Sequence, residues 1–115
     1  MVRLKDTKTA LDTFVEAATK HAEATEQGDY KTCNRCYTII SKTILFLKKE
    51  NEMQQLSKFL NYSSVGVRGW AATYLLPIME SEGIKVLEQI AEGKGIHSLT
   101  AKTTISEWRK GNLKL

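Results

Sequence analysis

From Tyr30 to Leu47 the residues Tyr30, Cys33, Tyr37, Ile40, Ile44 and Leu47 recur in unbroken steps of three and four. That spacing returns a side chain to the same side of an α-helix once per turn. No period of two fits the stretch, so its isoleucines do not make it a strand: burial along one face outweighs the small β-branched penalty. Ile39, Leu45 and Phe46 widen the apolar arc and predict contacts on more than one side.

The rest of the chain reads the same way. Leu11, Val15, Ala18, Ala22 and Thr25, with Phe14 beside them, mark an earlier helix, with Thr9 and Asp12 resembling a capping box. Gly28 is expected to end it and Asp29 to cap the next. A short helical piece is expected over roughly Glu52 to Leu60, with Met53, Leu56 and Leu60 inward. A fourth helix is capped by Ser63 or Ser64, carries Val65, Val67, Ala71, Ala72, Leu75 and Leu76, and stops near Pro77. A fifth opens at Ser81-Glu82 with Ile84, Leu87, Ile90 and Ala91 inward. The last starts at Ser98 or Thr100, with Ala101, Ile105 and Trp108 on one face and Gly111 as its stop.

These signals define an all-α fold class. Five to six antiparallel helices follow from the short loops, and the Ala71-Ala72 pair and broad second helix favour stacked pairs over a closed bundle. The 115 residues suit one domain, 1–115, and 42% hydrophobic against 26% charged residues excludes disorder. No apolar run is long enough for a membrane span, and the opening Met1–Asp6 stretch is polar, so a cytoplasmic chain with no membrane partner is expected. Two cysteines make no disulfide framework.

The segment Ser63-Ser64-Val65-Gly66-Val67-Arg68-Gly69-Trp70-Ala71-Ala72-Thr73-Tyr74-Leu75-Leu76-Pro77 resembles the repeat unit of HEAT-type proteins, in which a Val-Arg pair precedes an Ala-Ala pair and leucines. With Thr103–Gly111 and the chain length, it is similar to a small bacterial family of uncharacterised HEAT-like, armadillo-type helical domains. The resemblance implies a short right-handed α-α superhelix. It implies that Val67, Ala71 and Leu75 point inward and that Arg68 braces neighbouring units. Ser63 and Ser64 stand where such repeats carry an acidic residue. The family supplies no catalytic residue.

The formal charge of +4 is unevenly placed. Met1 to Gly93 holds 12 basic and 12 acidic residues, whereas Lys94, Lys102, Arg109, Lys110 and Lys114 face Glu107 alone. Arg109 and Lys110 either complement the C-terminal end of the last helix or form a basic rim for a partner. Cys33-Asn34-Arg35-Cys36 has thioredoxin-type spacing, but no strand precedes it and Cys33 lies on the apolar stripe, so packing is the expected role. His21 and His97 lie far apart and complete no zinc set with the cysteines, so no metal and no cofactor is expected. No nucleophile elbow, metalloprotease pair or phosphate loop occurs, and the chain is not expected to be an enzyme.

Partner-binding candidates remain. Trp70 and Tyr74 are expected on one flank of the fourth helix beside Arg68, either filling a seam or forming a binding hot spot. Lys31, Asn34, Arg35, Thr38 and Lys42 line a polar face of the second helix. The leading expectation is a module that binds another protein or peptide, with an immunity or antitoxin-like role as one version. The alternative is nucleic-acid binding through the basic C-terminal segment. Exposed apolar side chains among Ile39, Phe46 and Trp70 could also seal a homodimer.

Overall fold

The computed structural model describes residues 4–115, so Met1, Val2 and Arg3 of the polar opening stretch lie outside the described residues. The described chain is all-helical: α1 (Thr7–Gln27), α2 (Tyr30–Lys49), a 3-10 helix (Met53–Phe59), α3 (Val65–Leu75), α4 (Glu80–Ala91) and α5 (Ile96–Arg109). It divides into two compact units, Met1–Leu56 and Ser57–Leu115.

The first unit is a helical hairpin of α1 and α2. Asp6, not Thr9, caps α1: its carboxylate accepts the Thr9 N–H at 2.8 Å. The expected Thr9–Asp12 box is therefore displaced by one turn, because an ionised carboxylate three residues ahead of a free N–H is the stronger acceptor. At the other end Gly28 takes φ 70°, its N–H donating to Thr25 and the Asp29 N–H to Ala24 at 2.9 Å. This left-handed turn ties off the last carbonyls and suits a residue without Cβ. Asp29 then caps α2 by accepting the Thr32 N–H at 3.2 Å and the Thr32 hydroxyl at 2.7 Å. Two linking residues force α1 and α2 to run antiparallel.

Both capping carboxyls are held below the ordinary aspartate value, Asp6 chiefly by the Thr9 N–H and Asp29 chiefly by the Thr32 hydroxyl. A depressed folded-state value stabilises the fold above the unfolded value, about 4, and that contribution is lost as pH falls through the folded one. The melting temperature is thus expected to fall as pH drops below about 4. It should fall less in the Asp6→Asn/Asp29→Asn double variant, whose amide caps do not titrate. Equal acid sensitivity in thermal melts of the two proteins would count against the caps.

The buried side of α2 differs from its apolar spacing. Cys36, Ile40, Thr43, Ile44 and Leu47 are buried, Cys33 is half-buried, and Tyr30 and Tyr37 face out at 79% and 50% exposure. Thr43 occupies an inward position because its hydroxyl donates to the Ile39 carbonyl at 2.9 Å, leaving no unmet polar atom. Tyrosine, with a polar tip, tolerates the outward side. The piece after α2 is a 3-10 helix rather than an α-helix, with Leu56 fully buried and Met53 and Leu60 half-buried.

The second unit packs α3, α4 and α5. Ser64 caps α3, its hydroxyl oxygen accepting from Val67 N–H, and α3 ends two residues before Pro77. Val67, Ala71 and Leu75 are buried as expected. The core of this unit joins Ala72 and Leu76 of the α3 end to Val86 and Leu87 of α4 and Ala101 and Ile105 of α5, with Trp108 packed against it. The start of α4 has no side-chain cap but carries Glu80 and Glu82, which complement the positive end of the helix. The start of α5 is Ile96, two residues before Ser98. Ser98 is instead a buried residue whose hydroxyl donates to the Ala91 carbonyl at 2.8 Å. Among the described residues no helix is long and apolar enough to cross a membrane.

Candidate partner-binding surface

The residues expected to meet a partner separate into three groups. Arg35 lies in the first unit, exposed on α2, its guanidinium donating to Thr32 Oγ1 at 3.1 Å. Lys31, Asn34, Thr38 and Lys42 are exposed on the same helix.

Arg68, Trp70 and Tyr74 lie on α3. Arg68 turns back on the loop before its own helix, donating to the Tyr62 carbonyl at 2.7 Å and the Ser63 carbonyl at 3.1 Å. This fixes the entry into α3 and commits the guanidinium to the fold. Trp70 is half-buried and stacks on Tyr74, ring centroids 5.7 Å apart and planes 18° from parallel. Tyr74 itself is only 8% exposed, so of the two roles open to this pair it takes the buried one and presents no ring to solvent. It backs Trp70 instead.

The third group is on α5. Arg109 and Lys110 are exposed, and Arg109 approaches Glu88 of α4 at 3.8 Å, a loose surface pair of little energetic weight. With Lys102 and Ser106 they line an open depression of about 410 Å³ floored by Ile105. One turn away on the same outer side stand Leu99, 63% exposed, and Ile96, 46% exposed. At 100° per residue Leu99, Lys102, Thr103, Ser106 and Lys110 share one stripe, opposite the Ala101–Ile105–Trp108 side. Glu107, the helix's one carboxylate, falls outside that stripe and accepts from the Asn112 amide at 3.0 Å. Trp108 donates its indole N–H to Glu80 at 2.6 Å, which ties α5 to the start of α4.

Leu99 and Ile96 were not among the expected residues, although the spacing that places Ala101, Ile105 and Trp108 inward places Leu99 on the far side. Ile39, Phe46 and Trp70, among which exposed apolar side chains could seal a homodimer, are all half-buried. Among the described residues the large, well-exposed aliphatic side chains are Leu45, Ile78, Ile96 and Leu99.

The cysteines are free thiols. Burial pushes the Cys36 thiol up from its ordinary value, so it holds its proton and packs as a small apolar group. Cys33 Sγ lies 3.4 Å from Thr25 Oγ1 and contacts the His21 carbonyl at 3.9 Å, joining α2 to α1. Among the described residues no three His, Cys, Asp or Glu side chains converge as a metal site would need.

No family model and no curated protein matches the chain. Among solved structures, the crystal structure of the protein RPA1889 from Rhodopseudomonas palustris CGA009 superposes with a TM-score of 0.89 over 100% of this chain and 99% of that one. The two sequences are 18% identical, so what this chain shares with that bacterial protein is its all-helical fold.

Proposed function

We propose that this chain is a non-enzymatic, cytoplasmic protein-interaction module of the HEAT-like kind, which holds an acidic partner protein on the outer side of α5. The observation that carries the reading is Leu99. It is the most exposed aliphatic side chain of its unit, and it sits on a stripe with Lys102 and Lys110 that holds no carboxylate. An apolar residue with Lys102 one turn on and Lys110 further along the same stripe fits a partner surface with an apolar contact flanked by carboxylates. Burial of the leucine supplies affinity, and the charges supply orientation and encounter rate. Arg109 flanks the stripe on one side and Glu107 on the other, and the open depression beside Arg109 offers room for a protruding side chain. An immunity or antitoxin-like masking of another protein fits this reading, because masking asks for surface and no chemistry.

The test is affinity capture from native cell extract, treated with nuclease, on immobilised wild-type protein and on the Leu99→Glu variant. The expected result is a specific protein retained by the wild type, lost on Leu99→Glu and weakened by Lys102→Glu. Retention that disappears with nuclease, or that survives Leu99→Glu, overturns the reading.

A further inference from the structure

The surface of α2 carries an imbalance that the stability of the hairpin does not explain. Over 20 residues the helix holds Lys31, Arg35, Lys42, Lys48 and Lys49 and no Asp or Glu. All five cations are exposed. Two of the four carboxylates of α1 pair within that helix, Asp12 with Lys8 at 3.0 Å and Glu16 with Lys20 at 3.1 Å. Among the described residues no carboxylate lies within ion-pair distance of any of the five.

Helix electrostatics accounts for only part of this set. Lys48 and Lys49 stand in the last turn, where the helix dipole favours cations. Lys31 stands in the first turn, where the same dipole opposes it, while Arg35 lies a turn further in, its guanidinium donating to Thr32 beside the Asp29 cap. Neither the dipole nor an ion pair accounts for Lys31 and Lys42, and both add to a positive surface.

The five are also ordered. Steps of four and three run Lys31, Arg35, Thr38, Lys42 along one row, with Lys49 continuing it two turns on. A parallel row, beginning one residue earlier, holds Tyr30, Asn34, Tyr37, Ser41 and, further on, Lys48. Both tyrosines of that row face solvent. The cation row is about 27 Å long, and the two rings are about 10 Å apart along the axis. A row of positive charge beside a row of exposed flat rings mirrors a single nucleic-acid strand, with phosphates along one edge and unstacked bases along the other. An acidic protein surface would answer the first row and leave the second without a matching partner.

We infer that the solvent face of α2 binds single-stranded nucleic acid, with Lys31, Arg35, Lys42 and Lys49 on phosphates and Tyr30 and Tyr37 stacking on bases. This rests on the first unit alone and is independent of the α5 reading.

The test is fluorescence anisotropy of the full chain with a labelled oligothymidylate of about 20 nucleotides, against a duplex of the same length and against polyglutamate. Four phosphate contacts predict a log–log dependence of affinity on salt with slope about −3. Lys31→Gln/Lys42→Gln should weaken binding at low salt at least about tenfold and flatten that slope by about 1.4. Tyr30→Ala/Tyr37→Ala should weaken it at least about 30-fold and leave the slope unchanged. Lys102→Gln/Lys110→Gln on α5 should change nothing. All these positions are exposed, and circular dichroism checks that each variant keeps its helix content. Four results overturn the inference: no binding at low salt, equal or tighter binding of the duplex, loss of binding through the α5 variant, or polyglutamate binding as tightly as the strand with the tyrosine variant unaffected. The last would assign the face to an acidic protein.

Discussion

Gly83→Ala is expected to destabilise the protein by about 2 kcal/mol, whereas Gly69→Ala, the same change in the neighbouring helix, is expected to stabilise it by about 0.5–1 kcal/mol. A Cβ on Gly83 would stand 2.7 Å from the Ala72 carbonyl oxygen and 2.9 Å from Leu76 Cδ2. The leucine methyl can rotate away. The carbonyl belongs to the backbone of α3 and cannot, so α4 must back off and loosen the Ala72, Leu76, Val86 and Leu87 core. That penalty exceeds the roughly 1 kcal/mol that alanine gains over glycine inside a helix. At Gly69 the added methyl would meet only Ile90 Cδ1 at 3.7 Å, an ordinary contact, and the helix preference acts unopposed. Thermal melts should show a fall of about 8 °C for the first and a rise of about 2–4 °C for the second. Two shifts of the same sign would mean that close approach of α3 and α4 does not decide the position.

The order and extent of the helices are legible in the sequence because burial on one side imposes a period, and the period survives local exceptions. Ile40, Ile44, Leu47, Val67, Ala71 and Leu75 are all buried where the spacing puts them. The exceptions have physical causes. Tyr37 and Thr43 exchange the sides that hydropathy assigns, since a phenol can stand in water while a threonine hydroxyl can satisfy itself on its own helix. Helix starts were less legible. Asp6, Gly95 and Met79 flank the first turns of α1, α5 and α4, and only Asp6 among them is a side-chain cap. Gly83 carries no signal at all in one sequence, because close approach between two helices is a property of their crossing and not of either helix.

The candidate surfaces were legible in composition but not in geometry. The cations of the last 22 residues and the polar side of α2 could be counted in the sequence. That Arg68 spends its donors on two loop carbonyls, and that Tyr74 lies beneath Trp70, could not. Both shift weight from the aromatic flank of α3 to Leu99 and its neighbours. An arginine already satisfied by backbone and a tyrosine already covered have little left to give a partner.

Phe14→Ala is expected to cost about 3–5 kcal/mol, the largest loss from any single side chain of the first unit. The buried residues of α1 are Ala10, Leu11, Phe14, Ala17, Ala18, Ala22 and Ala24, so the ring is the one large group among five alanines and a leucine. Alanines have no side-chain freedom with which to fill the space it leaves, and a void between close-packed helices loses contacts outright. In urea unfolding the midpoint should fall by about 2 M, and Phe14→Leu should recover most of it at a cost of under about 1.5 kcal/mol. Leu99→Glu supplies the opposite case. As an exposed helix position it should move stability by no more than about 0.5 kcal/mol. Below its own midpoint Phe14→Ala should still capture the partner that Leu99→Glu has lost, because a binding surface and a core fail separately when they are built from different residues. A Leu99→Glu midpoint as low as that of Phe14→Ala would mean that Leu99 holds the fold together, and the α5 surface would have no claim to a partner.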